Sequence, residues 1–362
     1  MKFIQMHEMV SRHDAVGNDI ELISKMLAKN YESYVFAVVR VNENVNYIEE
    51  SELDSMIQDK DTVIIYHHSI FWKKGYEKLK NAKCKIIFKY HNITPPEFFE
   101  SYSLNLYRHC RDGRNQTLQL IKEFPEAFWL ADSEYNASEL IGVPKERIGI
   151  CAPFNKLENW SDVEADKEIA EEIKNSNQIN VLFVGRVVPN KGHKMLLEIL
   201  RIFCTCYNKN IKLRIVGKFD LSIEMYNNMI HQIIEDYSLE NNIEFIGEVT
   251  DASLKAYYTS SDMMLICSDH EGFCVPVIEA QYFGLPIVAY GKCAVTETAG
   301  DNQVVLGEDV YQYAAAIKLI AENEEYKEYL REKGYENFKN RFSYEKIEAQ
   351  FKKELSRWNL QV

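Results

Sequence analysis

Glu271-Gly272-Phe273-Cys274-Val275-Pro276-Val277-Ile278-Glu279 sets two carboxylates eight positions apart, one before a Gly-Phe turn and one behind a short apolar run. Directly ahead lies Met263-Met264-Leu265-Ile266-Cys267, an apolar run of strand length, and Pro276 to Phe283 reads as a helix. A strand, a glycine-bearing turn and a helix opening at a proline leave backbone N–H groups and a helix N-terminus where an anion can sit. Glu271 then faces hydroxyls beside that anion, and Glu279, further into the helix, faces a ribose diol. The stretch reads as a site for a sugar nucleotide.

Working outward, strand-sized runs alternate with helical patterns along the whole chain, the signature of parallel sheets with helices on both faces. The first half offers Lys2-Gln5, Ser33-Val39, Thr62-Tyr66, Lys85-Tyr90 and Ala127-Ala131 as strands, with helices such as Asp19-Lys29 and Leu104-Lys122 between them. The polar stretch from Pro153 to Asn180 reads as a linker plus an amphipathic helix. The alternation restarts with Asn180-Val184, Lys212-Val216, Ile243-Ile246, Met263-Cys267 and Pro286-Ala289, and a helix from Ser343 to Trp358 closes the chain. The expected domains are 1–160, 161–342 and a terminal helix over 343–362. Two doubly wound domains facing each other across a cleft bind ligands at the carboxyl ends of their strands.

Composition narrows the function classes. The 362 residues suffice for two ordinary domains, and 46% apolar with 27% charged residues fits a globular protein. A net charge of −13 argues against a nucleic-acid partner, which calls for a broad basic surface. No apolar run approaches the ~20 residues of a bilayer span. The first residues read as a strand, not a signal peptide, and the eight scattered cysteines match no zinc or redox spacing, so a reduced, cytoplasmic setting is expected. No Asp-x-Asp element or His/carboxylate cluster suggests a metal.

Further motifs converge on a phosphate. Gly185-Arg186 follows the strand ending at Val184, and Lys191 stands before the next helix, so a planar fork and a point charge meet where a diphosphate would lie. In the first half, His13-Asp14-Ala15-Val16-Gly17-Asn18-Asp19 follows the first strand. Asn18 with Glu21 suggests a helix start there, and Gly17 lets N–H groups approach a phosphate. The G-x-G-x-x-G dinucleotide pattern is absent. His91, ending the fourth strand before Pro95-Pro96, is placed to meet a sugar hydroxyl or the reacting centre. Gly217-Lys218 and Val249 end two further strands and are placed to hold a nucleobase.

Phe183-Val184-Gly185-Arg186 with Lys191-Gly192, Glu271-Gly272-Phe273 with Pro276 and Glu279-Ala280, and Gly284-Leu285-Pro286-Ile287-Val288-Ala289 together resemble retaining glycosyltransferase family 4 with the GT-B fold. Asp132-Ser133 and Phe342-Ser343-Tyr344-Glu345 extend the likeness to nearly the whole chain. The resemblance implies that Arg186 and Lys191 neutralise the donor diphosphate and that the N–H groups of Phe273, Cys274 and Val275 contact sugar or phosphate. It assigns Glu271 to sugar hydroxyls and Glu279 to the ribose. It also implies that the Gly17 loop closes over the diphosphate, that His91 lies near the anomeric centre, and that the terminal helix returns to the first domain. No cofactor or metal is implied. Cys274 and Val275 stand where Gly and Leu are frequent, and the larger Cys274 is expected to reshape the sugar pocket.

The implied activity is transfer of a hexose from UDP- or GDP-hexose, with retention, to a hydroxyl on a lipid-linked or oligosaccharide acceptor in cell-surface polysaccharide synthesis. A sugar-nucleotide epimerase and an inactive nucleotide-sugar-binding protein are the alternatives. Asp14, Asn18, Arg108 and Arg111 are the acceptor-side candidates. Trp72 to Lys89 carries seven lysines and one glutamate, interleaved with aromatics, and Arg108, His109, Arg111 and Arg114 follow. That asymmetry suggests a peripheral position on an anionic membrane surface. A monomer or weak dimer is expected.

Overall fold

The computed structural model describes residues 1–12, 14–207 and 210–360. The chain divides into two compact units, one of Met1–Pro96, Asn105–Lys156 and Ser343–Val362, the other of Glu97–Leu104 and Leu157–Phe342. The break falls after Lys156 rather than at 160, and Glu97–Leu104 groups with the later sequence, a feature the reading above does not foresee.

In the first unit the order is β1 (Lys2–Met6), β2 (Met9–Val10), α1 (Ala15–Leu27), β3 (Glu32–Phe36), β4 (Val39–Arg40), α2 (Glu50–Met56), β5 (Thr62–His68) and α3 (Lys73–Lys80). Then come β6 (Lys85–Tyr90), α4 (Leu104–Glu123), β7 (Phe128–Ala131), α5 (Glu134–Ser138) and β8 (Ile148–Ile150). Six strands form a parallel sheet in the order β3-β1-β5-β6-β7-β8. Burial on both faces explains the continuous apolar runs: every residue of β5 is buried. Ser33-Val39 is not one strand. The sheet strand ends at Phe36, and Val39–Arg40 pairs separately with Met9–Val10.

The second unit contains α6 (Lys167–Asn175), β9 (Ile179–Val184), α7 (His193–Cys206), β10 (Ile211–Val216), α8 (Glu224–Tyr237), β11 (Ile243–Gly247), α9 (Asp251–Ser260) and β12 (Met263–Ile266). It continues with α10 (Val275–Tyr282), β13 (Ile287–Tyr290), α11 (Ala294–Ala299), β14 (Val304–Leu306), α12 (Val310–Glu322) and α13 (Glu324–Arg341). Its parallel sheet runs β11-β10-β9-β12-β13-β14. The last helix, α14 (Tyr344–Arg357), belongs to the first unit. There Leu355 is fully buried, and Trp358 stacks on Phe128 with ring centroids 4.7 Å apart.

Strand order reverses once in each sheet, between β1 and β5 and between β9 and β12. The crevice beyond the strand carboxyl ends at such a reversal is where open α/β sheets take their ligands. Lys191 and Glu271 follow β9 and β12; Gln5 and His67 lie on β1 and β5.

Candidate functional site

Loop packing builds the site of the second unit. Gly192 has φ 71°, and a Cβ there would stand 1.8 Å from the Cys267 carbonyl oxygen. Only glycine allows the loop after β9 to press on the end of β12. Asn190 ties the two loops, its side chain donating to the His270 carbonyl (3.2 Å) and its own carbonyl accepting from Asp269 N (2.9 Å). Lys191 Nζ therefore lies 2.6 Å from Glu271 Oε1, to which Ser268 Oγ also donates at 2.7 Å. The side chains are 20% and 11% exposed, so the pair is largely withdrawn from solvent without being sealed off. The cation expected on a phosphate and the carboxylate expected on a sugar are thus bonded to each other.

Arg186 is 66% exposed, with Asp220 at 3.8 Å as its ion-pair partner. Nearby, Gly217 has φ 145°, and a Cβ on it would come within 2.0 Å of the Gly185 carbonyl oxygen, so the ends of β9 and β10 converge there. Lys218 forms an exposed pair with Glu248 (3.2 Å), and Val249 is half-buried beside the core.

The turn from Gly272 into α10 carries Cys274 in the left-handed region (φ 74°) and a proline in its first turn. Thr298 Oγ1 donates to the Phe273 carbonyl at 2.6 Å and fixes the turn from behind. The Cys274 side chain is buried with Val277 and Ala280, and burial, then the neighbouring Glu271 carboxylate, raises its thiol pKa. Glu279 accepts from Tyr258 Oη at 2.6 Å, and burial raises its carboxyl pKa to about 6 despite that bond.

A cavity of about 480 Å³ opens beside Gly192 and Asp269, lined by Phe98, Tyr102, Tyr226 and Tyr290 with Glu97 and Glu308. Phe98 and Tyr102 come from the Glu97–Leu104 segment. Two aromatic residues in a short loop far from the main motif carry no signal that sequence inspection would single out.

In the first unit several expectations change. Helix α1 begins at Ala15 with Asp14 as its cap, so Asn18 lies within the helix rather than at its start. The Gly17 N–H is taken by Asp14 Oδ1 at 2.6 Å, and a Cβ on Gly17 would meet the Ser11 carbonyl at 2.0 Å. That glycine is needed for the close backbone crossing with Ser11. His13 lies outside the described residues. Arg108 is exposed on α4, and Arg111 pairs with its neighbour Asp112 at 2.8 Å. The lysine-rich stretch is not a bare basic face. Lys74 and Lys78 pair with Glu50 and Asp54 on α2, Trp72 and Phe88 are core, and Lys89 is fully buried.

His91 leads into a polar cluster that the sequence reading leaves unassembled. Its Nδ1 lies 2.8 Å from Asp132 Oδ2 and its Nε2 2.9 Å from His67 Nδ1, so both ring nitrogens are engaged within this unit. Lys89 Nζ bonds the other Asp132 oxygen and donates to the Cys151 carbonyl at 2.9 Å. Burial works against the Lys89 charge, but Asp132 and then Asp19 outweigh it and raise its pKa. Burial likewise opposes ionisation of Asp132, yet His91 and Lys89 hold its pKa below the usual range. The signal available was a lysine inside the apolar run Ile86-Ile87-Phe88-Lys89-Tyr90, since a buried lysine requires a carboxylate partner. Asp19, His67 and His91 are spaced as metal ligands would be, the one such group among the described residues. The two rings already bond each other, however, and the Lys89 ammonium stands 3.9 Å from Asp19 Oδ2, where its charge opposes a metal cation.

Residues 164–337 match the family model described as "Glycosyl transferases group 1". An uncharacterized 41.2 kDa protein in the cps region of Klebsiella pneumoniae is 28% identical over 169 residues, 47% of this chain and 43% of its own length. The O-antigen chain mannosyltransferase B of Escherichia coli is 24% identical over 174 residues, again 47% and 43%. The matches thus span less than half the length of these curated relatives. The crystal structure of Anabaena Alr3699/HepE in complex with UDP and glucose superposes with a TM-score of 0.78 at 16% identity, covering 98% of this chain and 99% of that one. The fold is GT-B, two Rossmann-like units, as the motifs imply.

Proposed function

Because residues 164–337 carry the glycosyl transferases group 1 pattern, we propose that this protein is a retaining, metal-independent glycosyltransferase of family 4. It moves a hexose from UDP- or GDP-hexose to a hydroxyl acceptor in surface-glycan synthesis. The observation that carries the reading is the Lys191–Glu271 pair beyond β9 and β12, with Arg186 on one side and the α10 N-terminus on the other. Glycosyl transfer builds negative charge on the departing diphosphate while the sugar becomes oxocarbenium-like. Lys191, Arg186 and the α10 N-terminus offset that charge without rearranging at the moment of reaction. Glu271, released from full contact with Lys191 as phosphate arrives, takes sugar hydroxyls, and Glu279 takes the ribose.

Retention by a covalent route calls for a carboxylate nucleophile under the anomeric carbon. Glu271 is engaged by Lys191 and Ser268 and suits hydroxyl binding better, so the acceptor attacks from the face the diphosphate leaves, and the diphosphate takes its proton. The aromatic cavity beside Gly192 suits a saccharide acceptor, whose ring faces pack on Phe98 and Tyr102. The UDP and glucose bound by the Anabaena protein favour UDP-hexose, and the name of the Escherichia coli relative keeps a mannosyl donor in view. Among the described residues no helix is long and apolar enough to cross a membrane. A peripheral site on the inner face of the plasma membrane therefore rests on the lysines that α2 leaves unneutralised.

Calorimetric binding of UDP, GDP, ADP and dTDP without metal tests the reading. Tight binding of one nucleotide is expected, and no binding by any of the four overturns it.

A further inference from the structure

We propose that Ser268 is the positioning residue for Glu271: its buried hydroxyl keeps that carboxylate aimed at the donor sugar when the diphosphate draws Lys191 away. The sugar and the diphosphate are those of the proposed function, on which this role rests. Glu271 Oε1 accepts two hydrogen bonds at once, from Lys191 Nζ at 2.6 Å and from Ser268 Oγ at 2.7 Å. A carboxylate oxygen has two lone pairs, so these donors fill Oε1. They differ in what can move them. Lys191 carries its charge on a flexible four-carbon stem and is 20% exposed. Ser268 is 1% exposed, turns about one heavy-atom torsion and has no charge for a phosphate to attract. Its backbone is clamped as well. Gly192 presses on Cys267 just before it, and the N–H groups of Asp269 and His270 just after it both donate to the Asn190 carbonyl, at 2.9 and 3.3 Å.

An arriving diphosphate therefore takes one donor and leaves the other. With Lys191 gone, one lone pair of Oε1 is vacant, and the bond from Ser268 keeps it where the ammonium stood. A sugar hydroxyl fills that place. Without Ser268, repulsion from the diphosphate is free to turn the carboxylate away from the sugar. The Cys274 thiol beside it is only a weak donor. The same arrangement recurs at the other carboxylate of the motif. Glu279 accepts from Tyr258 Oη at 2.6 Å, and Tyr258 is likewise 1% exposed. Each glutamate assigned to ligand hydroxyls is thus backed by a buried hydroxyl of the protein.

Calorimetric titration of the full chain with matched pairs, UDP against UDP-glucose and GDP against GDP-mannose, tests the role. The affinity ratio within a pair reads the sugar contacts alone. Ser268→Ala should bind the bare nucleotide within about twofold of wild type, while the ratio in favour of the nucleotide sugar falls about tenfold, the worth of one hydrogen bond to a charged group. Glu271→Ala should lower the ratio at least as far, and adding Ser268→Ala to it should lower it no further, because Ser268 acts only through that carboxylate. A serine with a purely structural role would weaken both members of a pair alike, or add its effect to that of Glu271→Ala. Either result overturns the proposal, as does an unchanged ratio in Ser268→Ala. If Ser268→Ala fails to fold, a crystal structure of the wild type with UDP decides. Lys191 should then lie on the diphosphate with Ser268 Oγ still on Glu271 Oε1, and a Glu271 that has left Ser268 overturns the proposal. A wild type that binds neither pair would remove the transferase reading and this role with it, whereas a bound nucleotide with an unchanged ratio removes the role alone.

Discussion

Glu279 should make the protein less stable as pH rises from about 4.5 to about 6, and Glu279→Gln should abolish that loss. The folded state raises the carboxyl pKa from 4.5 to about 6 through burial. Below the lower value folded and unfolded chains both hold the proton, and the group costs nothing. Above the upper value both have lost it, and the folded state bears the whole desolvation of a carboxylate that Tyr258 only partly offsets. At 1.36 kcal/mol per pH decade the difference is about 2 kcal/mol, an upper value because the side chain keeps some water. Glutamine stays neutral, and its amide oxygen can still accept from Tyr258 Oη. Trp160 packs on Phe283, which also stacks on Tyr258, so its fluorescence follows this region during urea unfolding. At about pH 7 the Gln variant should be the more stable by up to about 2 kcal/mol, and at about pH 4.5 the two should coincide. Parallel pH dependence of the two proteins would falsify the assignment. Under the proposed function, nucleotide affinity of the wild type should also fall below about pH 6, where the ribose partner is protonated.

Other perturbations follow from the same geometry. Lys191→Ala and Arg186→Ala should each lower turnover by about 10²–10³. The exposed Arg186 should leave the melting temperature unchanged, while Lys191→Ala strands Glu271 and lowers stability by about 1–3 kcal/mol; wild-type turnover in either variant refutes the charge-stabilisation role. Gly192→Ala, whose Cβ would stand 1.8 Å from a backbone oxygen, should lose at least about 1–3 kcal/mol in calorimetric unfolding and weaken nucleotide binding, and an unchanged thermogram would show that the loop contact is not needed. Lys89→Met should cost about 3–5 kcal/mol in urea unfolding because Asp132 loses its buried cation, and a midpoint unmoved from wild type would argue against a charged pair there.

The fold was legible because β5, β9 and β12 are buried on both faces and so stand out as unbroken apolar runs between helical patterns. The short edge strands β8 and β14, three residues each, escaped because no periodicity develops over that length. Lys191, Glu271 and Glu279 were legible as types and spacings, but the contact between Lys191 and Glu271 was not. It depends on Gly192 lying against Cys267, a close approach between segments some 75 residues apart in the chain. Gly17 was legible as a glycine near a helix start, but the tight backbone crossing with Ser11 that it permits was not, for a related reason: it depends on where Ser11 lies. Lys89 was counted as surface charge because it closes the lysine-rich stretch from Trp72, although Phe88 and Tyr90 flank it in sequence and its neighbours in space are Asp132 and Asp19.

Both units place ionisable groups near the carboxyl ends of their strands, but they use them in opposite ways. The second unit leaves Arg186 in water and the Lys191–Glu271 pair partly open, so an anionic ligand can compete for the lysine at modest cost. The first unit seals Lys89, His91, Asp19 and Asp132 inside, where charges cannot be exchanged for a ligand without exposing an unpaired partner. An incoming diphosphate should therefore rearrange the contacts of Lys191 and leave those of Lys89 intact. Net charge does not decide between them. At −13 the protein repels anions at long range, yet screening confines that repulsion to about 8 Å at physiological salt. Within that distance the balance is set by one exposed guanidinium, one ammonium and a helix N-terminus.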